Sequence, residues 1–124
     1  MSWQLTADRP IYLQLIEEIE LRIVSGMYTV GEKLPGVRDL AAQASVNPNT
    51  MQKALTELER QGLVYSQRTA GRFITEDSKM IQNLKNQLAT DQILDCFEKM
   101  NQLGFTKEET IKLMQQLGSK EDAK

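Results

Sequence analysis

Gly31-Glu-Lys-Leu-Pro-Gly-Val-Arg-Asp-Leu-Ala41, Val46-Asn-Pro-Asn-Thr-Met-Gln-Lys-Ala-Leu55, Gly62-Leu-Val-Tyr65 and Arg68-Thr-Ala-Gly-Arg-Phe73 decide the fold. Pro35-Gly36 opens a helix that turns Val37, Leu40 and Ala41 inward. Ala44-Ser45-Val46 reads as a turn. Asn47 is an N-cap candidate, and Pro48 then sits at the favoured first helical position. Met51, Ala54, Leu55 and Leu58 form one apolar stripe on the helix that follows, and Gly62 stops it. Leu63-Val64-Tyr65 and Phe73-Ile74-Thr75 read as two strands around Gln67 to Arg72, with Gly71 supplying turn freedom.

Upstream, residues 1–8 are expected to form a loose arm. Asp8 can cap a helix that begins Arg9-Pro10. Ile11, Leu15, Ile16, Ile19 and Ile23 recur at helical spacing, with Glu17, Glu18, Glu20 and Arg22 outward, and Gly26 ends the helix near Ser25. Residues 30–34 make a short extended link. Three short amphipathic helices and a tight basic hairpin give a winged helix-turn-helix, a layout that sets one helix into the DNA major groove.

Downstream of Thr75 the pattern is helical only. Ile81, Leu84 and Leu88 share one face, and the apolar set then moves to Ile93, Leu94, Phe97 and Met100. The five-residue step from Leu88 to Ile93 turns the stripe by about 140°. Either the helix has two apolar faces or it bends near Thr90. Gly104 closes it, and Thr106 with Glu109 makes a capping box for a last helix carrying Ile111, Leu113, Met114 and Leu117. Residues 118–124 read as a polar, frayed tail. The expected fold is mainly α with a small β-hairpin wing. The expected organisation is a winged helix-turn-helix at 1–75, a short two-helix dimerisation and effector region at 76–117, and the tail.

Composition bounds the function. The 124 residues are 40% hydrophobic and 26% charged, which suits a soluble globular chain. Net charge is −2; residues 1–75 carry eight basic and eight acidic side chains, residues 76–124 seven and nine. The overall field therefore gives no support for nucleic acid, so any such function rests on local placement. Cys96 is the one cysteine, so no intrachain disulfide forms. With no basic-then-apolar leader, this points to the reducing cytoplasm. No stretch approaches the ~18 apolar residues of a membrane span. Histidine is absent, which argues against an ordinary zinc site and a histidine general base, and no cofactor is expected. Glu108-Glu109 and Asp91/Asp95 are paired acids without a nucleophile, and read as caps or solvated faces rather than an enzyme site.

The chemistry-bearing residues lie around the third helix. Asn49, Gln52 and Lys53 share a face, with Thr50 beside them. Asn and Gln can each grip adenine with two hydrogen bonds, Thr can meet a thymine methyl or a phosphate, and the helix start favours a phosphate. Arg38 projects from the second helix as a phosphate clamp or guanine contact. Arg68 and Arg72 flank Thr69-Ala70-Gly71, a wing able to reach a minor groove or backbone. Each feature alone also has an ordinary structural origin: a solvated helix start, an Arg paired with Asp39 or Glu32, a solvated turn. Their coincidence carries the weight, since the topology turns all three toward one face while Glu17, Glu18, Glu20, Glu57 and Glu59 fall elsewhere.

Pro10-Ile-Tyr-Leu-Gln14, Gly31-Glu-Lys-Leu-Pro35, Val37-Arg-Asp-Leu-Ala41, Val46-Asn-Pro-Asn-Thr50, Ala54-Leu55, Leu58 and Gly62-Leu63 resemble the DNA-binding domain of GntR-family bacterial transcription regulators. The short C-terminal part is similar to that of the YtrA subfamily. The resemblance implies DNA contacts at Arg38, at Asn47, Pro48, Asn49, Thr50 and Gln52, and at the wing glycine, Gly71. With Lys53, Arg68 and Arg72 from the residue-level argument, these make the candidate DNA-binding set. Gly36 stands where the family often has Ser or Ala, and Pro48 and Gln52 where some members have Arg.

The implied role is a dimeric repressor acting on a palindromic double-stranded operator through the helix at 48–61 and the wing at 66–74, frequently at an ABC-transporter operon. The alternative is a winged-helix interaction module that does not bind DNA. Ile81, Leu84, Leu88, Ile93, Leu94, Phe97 and Met100 are the candidate dimer interface. Any small-molecule effector is expected at that interface, near Leu94, Phe97, Met100 and Met114, because a two-helix tail is too small to enclose one.

Overall fold

A computed structural model describes residues 3–122, with side chains described through 120. In chain order the elements are α1 (Ile11–Val24), α2 (Val37–Ala44), α3 (Pro48–Arg60), β1 (Val64–Gln67), β2 (Gly71–Ile74), α4 (Ser78–Gln102) and α5 (Lys107–Asp122). The chain divides into two compact units, Met1–Lys85 and Asn86–Lys124. No described helix is long and apolar enough to cross a membrane.

The first unit is built on the expected stripes. Leu15, Ile19, Leu40, Met51, Ala54, Leu55, Leu58 and Ile74 are fully buried in one core, joined by Ile23, Leu34 and Val64. Burying each large side chain contributes about 1.5–3 kcal/mol, enough to hold three short helices that would not persist alone. Ile81 and Leu84 of α4 also pack against this core.

The N-terminal arm departs from expectation. Asp8 does not cap α1; Pro10 is the N-cap and has no side-chain cap bond, and the Asp8 carboxylate accepts from the Thr6 hydroxyl instead. Gln14 does the fastening. Its Nε2 donates to the Thr6 and Arg9 carbonyls at 2.8 and 2.9 Å, and its Oε1 accepts the Thr6 N–H at 2.8 Å. Trp3 and Leu5 pack against the core, and the Arg22 guanidinium lies 4.1 Å from the Trp3 ring centre. Residues 3–8 are thus tied down, by contacts that no helical period reveals. Met1 and Ser2 lie outside the described residues.

Helices α2 and α3 meet through Ser45, in the left-handed conformation at φ 58. The Asn47 cap forms as expected: Oδ1 accepts the Asn49 N–H at 2.7 Å, with Pro48 following. The hairpin is tighter than expected. Its pairs run from Val64↔Ile74 to Gln67↔Gly71, which leaves only Arg68, Thr69 and Ala70 as the turn. Gly71 (φ 110) and Arg72 therefore belong to β2, and Thr69 takes a left-handed turn position at φ 65. The link before α2 adds a partial third strand: Lys33 bridges Phe73, Leu34 N–H donates to the Arg72 carbonyl at 2.9 Å, and Ile74 N–H donates to the Glu32 carbonyl at 2.8 Å.

α4 is one helix through Thr90; Ile81 and Leu84 of its first apolar set pack against the core, whereas Ile93 and Leu94 of the second are exposed. In the second unit Ile93 and Leu94 are exposed, as are Leu103, Phe105, Ile111, Met114 and Leu117. Leu88, Phe97 and Met100 are half-buried. Both capping-box bonds form, Thr106 N–H to Glu109 Oε1 at 2.9 Å and Glu109 N–H to Thr106 Oγ1 at 3.1 Å. α5 continues to Asp122, so residues 118–122 are helical rather than frayed. Gly118 is not at positive φ, and no stop signal follows it before Asp122. Ala123 and Lys124 lie outside the described residues.

Candidate nucleic-acid interface

The start of α3 is open. Asn47, Pro48, Asn49, Gln52 and Lys53 are exposed and Thr50 is half-buried, while Met51, Ala54 and Leu55 anchor the opposite face in the core. The Asn47 carbonyl oxygen is engaged in its own cap, which leaves its NH2 to donate outward. Gln52 makes one long contact, Nε2 to Thr56 Oγ1 at 3.4 Å. Lys53 Nζ lies 3.8 Å from the centre of the Tyr12 ring.

Arg38 is exposed in the first turn of α2, and enters none of the ion pairs among the described residues. Neither expected acidic partner holds it: Glu32 accepts instead from the Thr29 N–H at 2.7 Å. Gly36 is the N-cap of α2, so the N–H groups of the first turn receive no side-chain acceptor from the cap. Lys33, Pro35 and Gly36 line a notch of about 350 Å³ together with Thr69, Ala70, Gly71 and Arg72. The structure thereby joins the start of α2 to the wing.

One arginine of the wing differs from expectation. Arg68 is exposed in the turn, but Arg72 is half-buried in β2 rather than at the tip. Its Nε donates to Glu59 Oε1 at 2.6 Å, and the Ser66 hydroxyl donates to the same oxygen at 2.6 Å. Glu59 therefore belongs to the wing contact rather than to a remote face. Burial pushes the Glu59 carboxyl up, but the Ser66 and Arg72 hydrogen bonds and the Arg72 charge outweigh it and hold it below the usual range.

Lys33 is a further cation that the sequence pattern did not single out. A Cβ on Gly71 would lie 3.0 Å from Lys33 Cε, so the glycine accommodates the lysine stem as well as its own positive φ. Its signal lay in the Gly31–Pro35 link, which reads as a connector until the strand pairing places it.

Comparisons with known proteins agree with this geometry. Residues 11–74 match the family described as bacterial regulatory proteins, gntR family. The chain is 43% identical over 112 residues to YhcF of Bacillus subtilis, an uncharacterized HTH-type transcriptional regulator, covering 90% of this chain and 92% of that one. It is 43% identical over 73 residues to the HTH-type transcriptional repressor YtrA of the same organism, covering 59% and 56% respectively. Among solved structures, a GntR family transcriptional regulator from Listeria monocytogenes superposes with a TM-score of 0.83 at 37% identity, over 90% of this chain and 98% of that one. The DNA-binding domain of AraR in complex with operator ORX1 superposes with a TM-score of 0.53 at 29% identity, over 60% of this chain and 99% of that one. An open helix start, a neighbouring wing and these likenesses agree: the chain belongs to the gntR family of bacterial regulatory proteins and is a winged-helix transcription regulator.

Proposed function

We infer that the chain is a cytoplasmic, homodimeric repressor of the YtrA type that binds a palindromic DNA operator. Residues 1–75 form the DNA-binding part and 76–117 the dimerisation part. The observation that carries this is the uncovered, short and acid-free start of α3, from Asn47 to Lys53, held rigidly by its buried face. In this role Asn49 and Gln52 meet base edges, and Thr50 meets a methyl or a phosphate. Arg38, Lys53, Arg68 and the outer nitrogens of Arg72 meet phosphates. Asn47 and Pro48 fix the helix start, and Gly71 lets the wing backbone come close.

Exposed Ile93, Leu94, Ile111, Met114 and Leu117 support dimerisation, because so much apolar surface in a small unit favours burial against a partner at about 25 cal/mol per Å². Two copies would present their α3 helices to half-sites about 34 Å apart. Footprinting on the region upstream of the chain's own gene is expected to protect two inverted half-sites, and the genes served by that promoter test the transporter expectation. A dimer that protects no duplex selected from a randomised pool would instead establish an interaction module without DNA binding.

A further inference from the structure

We propose that Glu59 is a positioning residue of the DNA interface: its carboxylate fastens the wing to α3 through Arg72 and Ser66. The proposal rests on α3 and the β1–β2 hairpin being the DNA-contacting elements. Glu59 lies in the last turn of α3, and Ser66 and Arg72 face each other as one pair of the β ladder. One carboxylate oxygen therefore accepts from both strands at the same rung, each at 2.6 Å.

The rung is tied on a second side, where the Leu34 N–H donates to the Arg72 carbonyl at 2.9 Å. Helix and link thus grip the hairpin just below its turn, Arg68 to Ala70. A two-stranded hairpin is marginal by itself, so such anchoring sets where its tip stands. The contact is only partly shielded, with the Arg72 and Glu59 side chains 22% and 29% exposed. Because Nε of Arg72 serves Glu59, its two outer nitrogens, without an acceptor among the described residues, keep four N–H groups to meet a phosphate.

The proposal opposes simple electrostatics. A carboxylate near a DNA surface repels phosphate, so removing Glu59 should strengthen binding if charge alone mattered. Fastening predicts the reverse. Glu59→Ala and Glu59→Gln remove the same charge, but Gln keeps an acceptor oxygen, so the two variants separate charge from geometry.

The first measurement uses the free full-length chain: amide hydrogen exchange in parent, Glu59→Ala and Glu59→Gln. Exchange at residues 66–72 is expected to accelerate roughly tenfold in the Ala variant and less in the Gln variant, as loss or retention of one hydrogen bond implies. The α1 core amides serve as the control for intact folding. Unchanged exchange at 66–72 overturns the proposal. The second measurement titrates each chain against a duplex selected by the parent from a randomised pool. Glu59→Ala is expected to bind roughly tenfold more weakly and Glu59→Gln to lie between it and the parent. Tighter binding by both variants overturns the proposal. A parent that selects no duplex overturns the DNA reading instead, and hydrogen exchange alone then decides whether Glu59 fastens the wing.

Discussion

The ammonium of Lys53, on α3, rests 3.8 Å from the centre of the Tyr12 ring, on α1. The contact crosses from the helix proposed to enter the groove to the helix that supports it. A cation–π contact at an exposed site is worth about 0.5–1 kcal/mol, enough to bias a long, mobile side chain toward one direction.

Lys53→Ala is therefore expected to weaken binding to all duplexes alike and to reduce the salt slope by about 1, as loss of one phosphate contact does. Tyr12→Leu is expected to give a smaller loss with the salt slope intact, because the charge remains and only its orientation is freed. Affinities measured across a salt series check both, and equal slopes for parent and Lys53→Ala would remove Lys53 from the interface.

Gln52 and Arg38 are expected to behave differently from one another. Gln52→Ala should cost about 1–3 kcal/mol on the preferred duplex and relax preference at a single base pair. Arg38→Ala, if it clamps a phosphate, should weaken preferred and scrambled duplexes equally. Binding to a panel of single-base variants at fixed salt distinguishes the two patterns. A flat panel for Gln52→Ala would assign it no base.

Leu94→Glu is expected to yield monomers at micromolar concentration, because it places a charge in an exposed apolar patch that dimerisation would bury. The first unit should keep its melting behaviour, since Leu94 takes no part in that core. Sedimentation of the parent and the variant checks this. A parent that is already monomeric, or a variant that stays dimeric, would remove this surface from the interface.

Glu59 also predicts a pH dependence. Its carboxyl is held low in the folded chain, so its ionised form stabilises the fold above the ordinary Glu value of about 4.3. That contribution is lost as the pH falls through the lowered folded value. The thermal midpoint of the parent should therefore exceed that of Glu59→Gln near pH 6, and the gap should narrow toward pH 3. A constant gap across this range would show that the Glu59 charge does not stabilise the wing.

The sequence by itself determined the elements whose cause is local. The apolar stripes of α1, α2 and α3, the Asn47-Pro48 helix start, the Gly62 stop and the Thr106–Glu109 capping box depend on residues within a few positions of each other. Period, cap and turn chemistry act over that range, so they are legible in the chain. The exposed candidates Arg38, Asn49, Gln52 and Lys53 follow from the same helical periods, and Arg68 from the turn chemistry. What only the tertiary structure decided involves partners distant in sequence. Gln14 pins Thr6, Lys53 meets Tyr12, Lys33 bridges Phe73, and Glu59 accepts from Arg72 just below the wing's turn. Polar side chains have many acceptors of equal chemistry, and neither charge nor spacing selects among them. Core packing makes that choice by bringing one partner within hydrogen-bonding distance.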